Sequence, residues 1–268
     1  CNLALYNSSQ TQSLYNQRSI FMKAKHVLTL TAAIATYSSQ VHSNDFNLGL
    51  EFKTNHLWHG SIVTPGPMVA GELTYKTADN KITLGLWGGS SFDGEYQEFT
   101  YFASYKFSEQ LFIEIVNHGN HSSINNVDIF DYSSDPDKTG NFIDVGLGYT
   151  FAGEMPLSLY YSVIVQGIDT YLDESSGKNK QAYTNYLEAS MPVWKGNELD
   201  EQVSVFIGGA FSFLDQQNFY DDNANIVNLG FTYSKSLQIL EYNFPISATA
   251  MWNPAQNKGA LQVAFTFL

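Results

Sequence analysis

Apolar and polar residues alternate one for one along this chain in runs of about ten residues, and no other feature constrains its fold so tightly. In Lys258–Leu268, Leu261, Val263, Phe265 and Phe267 fall on one face and Gln262, Ala264 and Thr266 on the other, which is the period of a pleated strand. Val227, Leu229, Phe231 and Tyr233 repeat it against Asn228, Gly230, Thr232 and Ser234. Leu240, Tyr242, Phe244, Ile246, Ala248 and Ala250 repeat it again against Glu241, Asn243, Ser247 and Thr249. A tilted strand needs roughly ten residues to cross a bilayer. A second sheet could also cover one such face, so the number of repeats and the spacing between them decide the fold class.

The alternation runs through the chain. Phe46 to Lys53, Val69 to Lys76, Ile82 to Leu86, Glu98 to Phe107, Leu111 to Ile115, Ile143 to Phe151, Leu157 to Val165, Tyr183 to Val193 and Val203 to Phe213 all carry it, with Asn185 as a polar misfit in its apolar row. The total is about twelve strands, an even number as single-chain bacterial barrels require. Short connections near Ala78, Glu109, Gly153 and Leu237, with Trp194–Gln202 the longest of that class, alternate with polar segments near His59, Asp93, Asp135, Glu174, Asp221 and Gln256. That parity predicts an all-β, transmembrane, antiparallel up-and-down β-barrel with short periplasmic turns and longer extracellular loops, in preference to a soluble β-sandwich. Phe52, Tyr75, Phe107, Tyr149, Phe151, Phe213, Tyr233 and Trp252 sit near strand ends, where interfacial girdles form, although aromatics also favour strands in general.

Composition agrees once the chain is divided. Among the 268 residues, Met22 opens a basic segment, Val27 to Tyr37 form a short apolar core, and Val41-His42-Ser43 has the residues a signal peptidase reads. Residues 22–43 are therefore expected to be a signal peptide, residues 1–21 an upstream stretch outside the mature protein, and residues 44–268 the barrel. The single cysteine, Cys1, falls in the upstream stretch, so the barrel uses no disulfide although its compartment permits them. The net charge of −13 comes from 13 basic and 26 acidic residues. Without Arg18, Lys23 and Lys25 it falls to about −16, with no arginine left. Clustered Arg and Lys are what bind phosphate, so nucleic acid is not an expected partner.

The opening Asn47-Leu48-Gly49-Leu50 through Leu57-Trp58-His59-Gly60-Ser61, then Gly71-Glu72-Leu73-Thr74-Tyr75, Gly85-Leu86-Trp87 and Tyr101 to Tyr105, together resemble the TorF-type porin family of Gram-negative outer-membrane β-barrels. In that family an aromatic-Arg-Gly step commonly follows the first strand; here His59 stands in place of the arginine. The resemblance covers mainly the first half of the mature chain and implies an outer-membrane channel.

If the apolar rows face lipid, the opposite rows face the lumen. Glu51, Glu72, Glu98, Glu114, Asp144, Glu188 and Glu241 then point inward with Lys53, Lys76 and Lys106, giving a negative lumen that favours cations. The alternative is cross-strand ion pairs filling a plugged interior. Trp87, Phe102, Phe112, Phe142, Tyr160, Tyr186 and Phe206 also point inward, either as a stacking track for sugars or nucleosides or as interior packing.

His56/His59 and His118/His121 form two His-x-x-His pairs assigned to extracellular connections. They could hold zinc or copper only if each pair sits on a turn, so solvated loop histidines are the simpler expectation. The loop acids Asp128, Asp131, Asp135, Asp137, Asp169, Asp173, Glu174, Asp221 and Asp222 lack EF-hand order. His118, His121, Ser122 and Ser123 have no evident orienting partner, so neither catalysis nor a cofactor is expected. The functional expectation is an outer-membrane porin-like channel for passive, cation-favouring diffusion of small polar solutes, with pore-lining residues Glu51, Lys53, Glu72, Lys76, Trp87, Glu98, Lys106, Glu114, Asp144, Glu188 and Glu241. Its expected partners are outer-membrane lipid and small polar solutes or cations, as monomer or homo-oligomer. The alternative is a non-conducting barrel that binds a surface partner through its acidic loops.

Overall fold

The computed structural model describes residues 46–122, 124, 127–215 and 217–267, so the expected upstream stretch and signal peptide lie outside the described residues. In chain order the strands are β1 (Phe46–Lys53), β2 (His56–Trp58), β3 (Ser61–Thr64), β4 (Met68–Lys76), β5 (Ile82–Ser91), β6 (Gln97–Lys106), β7 (Leu111–Gly119) and β8 (Asn141–Thr150). They continue as β9 (Ser158–Gly167), β10 (Thr170–Asp173), β11 (Lys178–Gln181), β12 (Asn185–Lys195), β13 (Gln202–Phe211), β14 (Asn225–Ile239), β15 (Tyr242–Asn253) and β16 (Lys258–Thr266). Twelve of these form one closed antiparallel barrel in the order β1-β16-β15-β14-β13-β12-β9-β8-β7-β6-β5-β4. The pairs β2–β3 and β10–β11 are separate two-stranded hairpins.

Closure follows from the terminal alternation. Glu51, Phe52 and Lys53 of β1 face Thr266, Phe265 and Ala264 of β16, which leaves the sheet without an edge. Leu73, Leu84, Leu86, Ile115, Leu147, Leu187, Phe231 and Leu261 stand exposed on the outer wall. An apolar belt of this extent suits a hydrocarbon environment, where every backbone polar group must be satisfied internally. Tyr105/Phe107, Tyr149/Phe151 and Phe211/Phe213 form edge-on ring pairs at strand ends, with centroids 5.0, 4.9 and 5.0 Å apart. The first two pairs stand at the short-turn end and the third at the other, which is where interfacial girdles belong.

Four local features differ from the alternation read along the sequence. Gly208 pairs with Asn228 but Gly209 pairs with Ile226, so Val227 is the extra residue of a β-bulge. The bulge turns Val227 inward, where it is 0% exposed and packs with Tyr186, Ala210 and Tyr220. The last short turn is Leu240-Glu241 rather than one near Leu237, because β14 runs on to Ile239 and Leu240 takes the left-handed φ of 56°. Asn185 keeps its place in an apolar row because Tyr161 Oη donates to its Oδ1 and its Nδ2 donates to Tyr183 O at 2.8 Å. Finally, connections 92–96 and 254–257 are as short as those at the opposite end.

Candidate functional site

The segment expected as an open extracellular loop around His59 folds into the barrel mouth as the β2–β3 hairpin. Trp58 pairs with Ser61 across the two-residue turn His59-Gly60, whose φ values of 45° and 84° suit a type I′ hairpin turn. Gly60 is required twice over, since a Cβ there would also collide with the backbone of Val227. The tip thus abuts β14, while His56 at the base stacks on Trp87 of β5 at 5.7 Å. The hairpin spans the bore.

Side chains hold it there. The His59 ring lies flat on Tyr186 at 3.9 Å and 12°, and its Nδ1 is 3.0 Å from Tyr220 Oη. Asn253 Nδ2 donates to Gly60 O (3.2 Å) and Gln262 Nε2 to Asn55 O (2.7 Å). Trp58 packs against His118 (5.1 Å), Phe142 (5.7 Å) and Tyr220 (5.5 Å). Burial, reinforced by nearby His118, lowers the His59 imidazole from its ordinary value to about 3. Burial likewise lowers His56 to about 4, with Lys53 adding to the effect.

The hairpin divides the interior in two. Above it lies a vestibule of about 330 Å³ bounded by Glu98, His118, Ser122, Thr139 and Phe219. Below it lies a chamber of about 270 Å³ bounded by Glu188, Phe206, Asn228, Thr249 and Gln262, residues that lie along β12 to β16. Trp58 lines both and is their partition.

Acids at the mouth have partners. His118 on β7 stands between Glu98 (Nδ1 to Oε1, 3.8 Å) and Asp144 (Nε2 to Oδ2, 3.7 Å) and stacks on Phe142 at 4.6 Å. Glu98 also accepts from Tyr96 Oη and Thr100 Oγ1, each at 2.9 Å. Asp144 is 2% exposed and its Oδ1 has no partner. Lys53 pairs with Glu51 at 2.8 Å. Deeper in the barrel, Glu72, Glu114 and Glu188 form no ion pair among the described residues. Lys76 and Lys106 are the exposed last residues of β4 and β6 at the short-turn end, away from these carboxylates along the strands. Glu241 lies in the Leu240-Glu241 turn, off the strands, because β14 extends past the position at which the alternation placed its end.

The inward aromatics pack flat on the wall. Phe102 faces Gly85, Phe112 faces Gly148 and Phe206 faces Gly230 in register, and a Cβ on any of these glycines would strike the ring opposite. Trp87 leans along its own strand over Gly89, and Tyr186 lies diagonally over Gly208, which pairs with Glu188. Each of these rings rests one face on glycine backbone, which is packing along the inner wall.

The four histidines are not solvated loop residues. His56 and His59 sit in the inserted hairpin, His118 is on β7 between two acids, and both ring nitrogens of His121 are buried without a partner. Among the described residues no group of three or more His, Cys, Asp or Glu side chains is placed to hold a metal ion. Sequence reading passed over Trp58, Tyr220, Asn228, Asn253 and Gln262. The legible signal was His59-Gly60 as a two-residue turn between Leu57-Trp58 and Ser61-Ile62.

No family model matches the chain, and no curated protein matches it, so the TorF-type resemblance stands on the residues quoted above alone. Among solved structures, the chain is similar to the COG4313 outer membrane channel from Pseudomonas putida F1 at 13% identity and a TM-score of 0.43, covering 84% of this chain and 95% of that one. It is also similar to a bacterial polysaccharide outer membrane secretin (10% identity, TM-score 0.37, 85% and 99% covered). A third likeness is to the translocator domain of autotransporter NalP from Neisseria meningitidis (10%, 0.34, 91% and 96%). Likeness this distant assigns neither family nor function.

Proposed function

We propose that the protein is an outer-membrane porin-like channel of a Gram-negative bacterium, exported through a cleaved signal peptide and passing small polar solutes by passive, cation-favouring diffusion. The observation that carries this reading is the charge of the lumen below the hairpin. Glu72, Glu114 and Glu188 have no cationic partner there, while of the wall lysines at the mouth Lys53 is taken by Glu51 and Lys258, the first residue of β16, donates to Gln256 Oε1. Uncompensated carboxylates in a narrow bore concentrate cations and repel anions. A closed barrel with an apolar outer belt supports the membrane setting. The hairpin narrows any passage, which would run beside Trp58, the residue that borders both spaces.

The test is single-channel conductance of the refolded mature protein in a planar bilayer under a salt gradient. Discrete steps with a cation-favouring reversal potential are expected; anion preference would sink the charge argument. The hairpin across the mouth favours a second reading, a non-conducting barrel whose acidic loops bind a surface partner. Silence from protein shown to be folded and inserted would support it.

A further inference from the structure

The chamber below the hairpin holds a carboxylate whose position is fixed and whose charge is not neutralised. Glu188 Oε2 accepts from Tyr186 Oη and from Asn228 Nδ2, the latter at 2.9 Å. The same amide nitrogen also donates to Tyr186 Oη at 3.0 Å. These bonds set the Asn228 amide, because turning it over would bring its oxygen against the carboxylate. Asn228 is 6% exposed and its Oδ1 has no partner. Glu188 Oε1 receives no hydrogen bond from a described residue, and Gln262 uses its Nε2 on Asn55 O.

The polar side of the chamber therefore offers a carboxylate with one oxygen unbonded and its negative charge intact. Its other side is apolar, with Trp58, Phe206 and Met251. About 270 Å³ is room for several heavy atoms where one water takes about 30 Å³. A bare alkali ion has no carbon body to bury against Phe206 or Met251, and an anion meets Glu188 with no cation to offset it. A positively charged hydrogen-bond donor with a short carbon body satisfies both sides, its charge next to an aromatic face.

We infer that this chamber binds a small organic ammonium ion, its head on Glu188 and its body against Phe206, Met251 and Trp58. The inference deepens the cation-favouring reading above and rests on it.

Calorimetric titration of the detergent-folded protein tests it with n-butylammonium, n-butanol and potassium. Saturable one-to-one binding of n-butylammonium is expected, with n-butanol and potassium each at least tenfold weaker. Glu188→Gln should weaken n-butylammonium at least tenfold while the barrel keeps its heat-modifiable gel mobility. Equal binding of n-butanol, equal competition by potassium, or an unchanged Glu188→Gln affinity would each overturn the proposal. Should the variant not fold, the comparison of n-butylammonium with n-butanol on the unaltered protein still decides. Conductance separates the two readings. Binding to a silent barrel removes the channel and keeps the site, whereas cation-selective steps without binding remove the site and keep the channel.

Discussion

Every strand of the barrel wall is hydrogen-bonded along both edges, whereas the β2–β3 hairpin reaches the wall through side chains. Loss of one wall strand opens the sheet and leaves two rows of backbone groups without partners in lipid, each costing several kcal/mol. Loss of one hairpin contact forfeits about 1 kcal/mol, the usual net value of a hydrogen bond. The wall is all-or-none, and the hairpin is held by a few separable contacts. Displacement of the hairpin with the wall intact is therefore the low-energy change this fold permits.

The strongest way to break that contrast is Gly60→Ala. A Cβ at φ 84° is strained and collides with the Val227 backbone, together costing about 2–3 kcal/mol. The tip should lift, raising the open population about thirtyfold or more in single-channel records, while thermal unfolding of the barrel is unchanged. Joint loss of barrel and seat would show that the hairpin is part of the wall's cooperative unit.

Acid should act in the same direction with a smaller effect. A seated His59 has its pKa lowered to about 3, while a released one has the ordinary 6.5. Above 6.5 neither form binds a proton and the seat is intact. As pH falls below that value, the released form gains protons and the seat weakens, at most tenfold per pH unit. Openings should become more frequent between pH 7 and pH 5. His56, in the same hairpin and lowered to about 4, acts in the same sense, so His59→Phe is the control, and an equal pH response in that variant would remove His59 as the cause.

Selectivity sharpens the comparison further. Glu72→Gln and Glu114→Gln should each reduce cation over anion permeability severalfold. Glu51→Gln, with its charge already offset by Lys53, should do less. Glu241→Gln, in the turn, should leave the reversal potential where it was. A reversed order would mean that the ion pairs at the mouth, not the carboxylates below it, set the charge felt by a passing ion.

The wall was legible because alternation over a dozen runs has few physical solutions. Strand number, facing and closure all follow from it, with the apolar row pointing outward at nearly every position. Val227 escaped because a bulge changes facing within a run without changing its composition, and Glu241 because β14 outlasts the average strand. The hairpin was illegible for a different reason. Residues 55–67 would show the same mixture of small, aromatic and polar residues above the barrel or inside it, and its seat is built from Tyr186, Tyr220, Asn253 and Gln262, all distant in sequence. The histidines followed from the same cause. Their solvent was set by partners that local spacing does not contain.

The rings lying over glycines bear on how such a wall assembles. A period of two is blind to a slip of two residues, which keeps every apolar side chain facing lipid and every polar one facing inward. Phe102 on Gly85, Phe112 on Gly148 and Phe206 on Gly230 are not blind to it, because a slip of two would drive Phe102 into Thr83 or Trp87, Phe206 into Asn228 or Thr232, and Phe112, in one of the two directions, into Thr150. Set at three seams around the circumference, these pairs act as a key cut for one register, so that a hairpin zipped wrongly in the bilayer meets its own obstruction and must unzip.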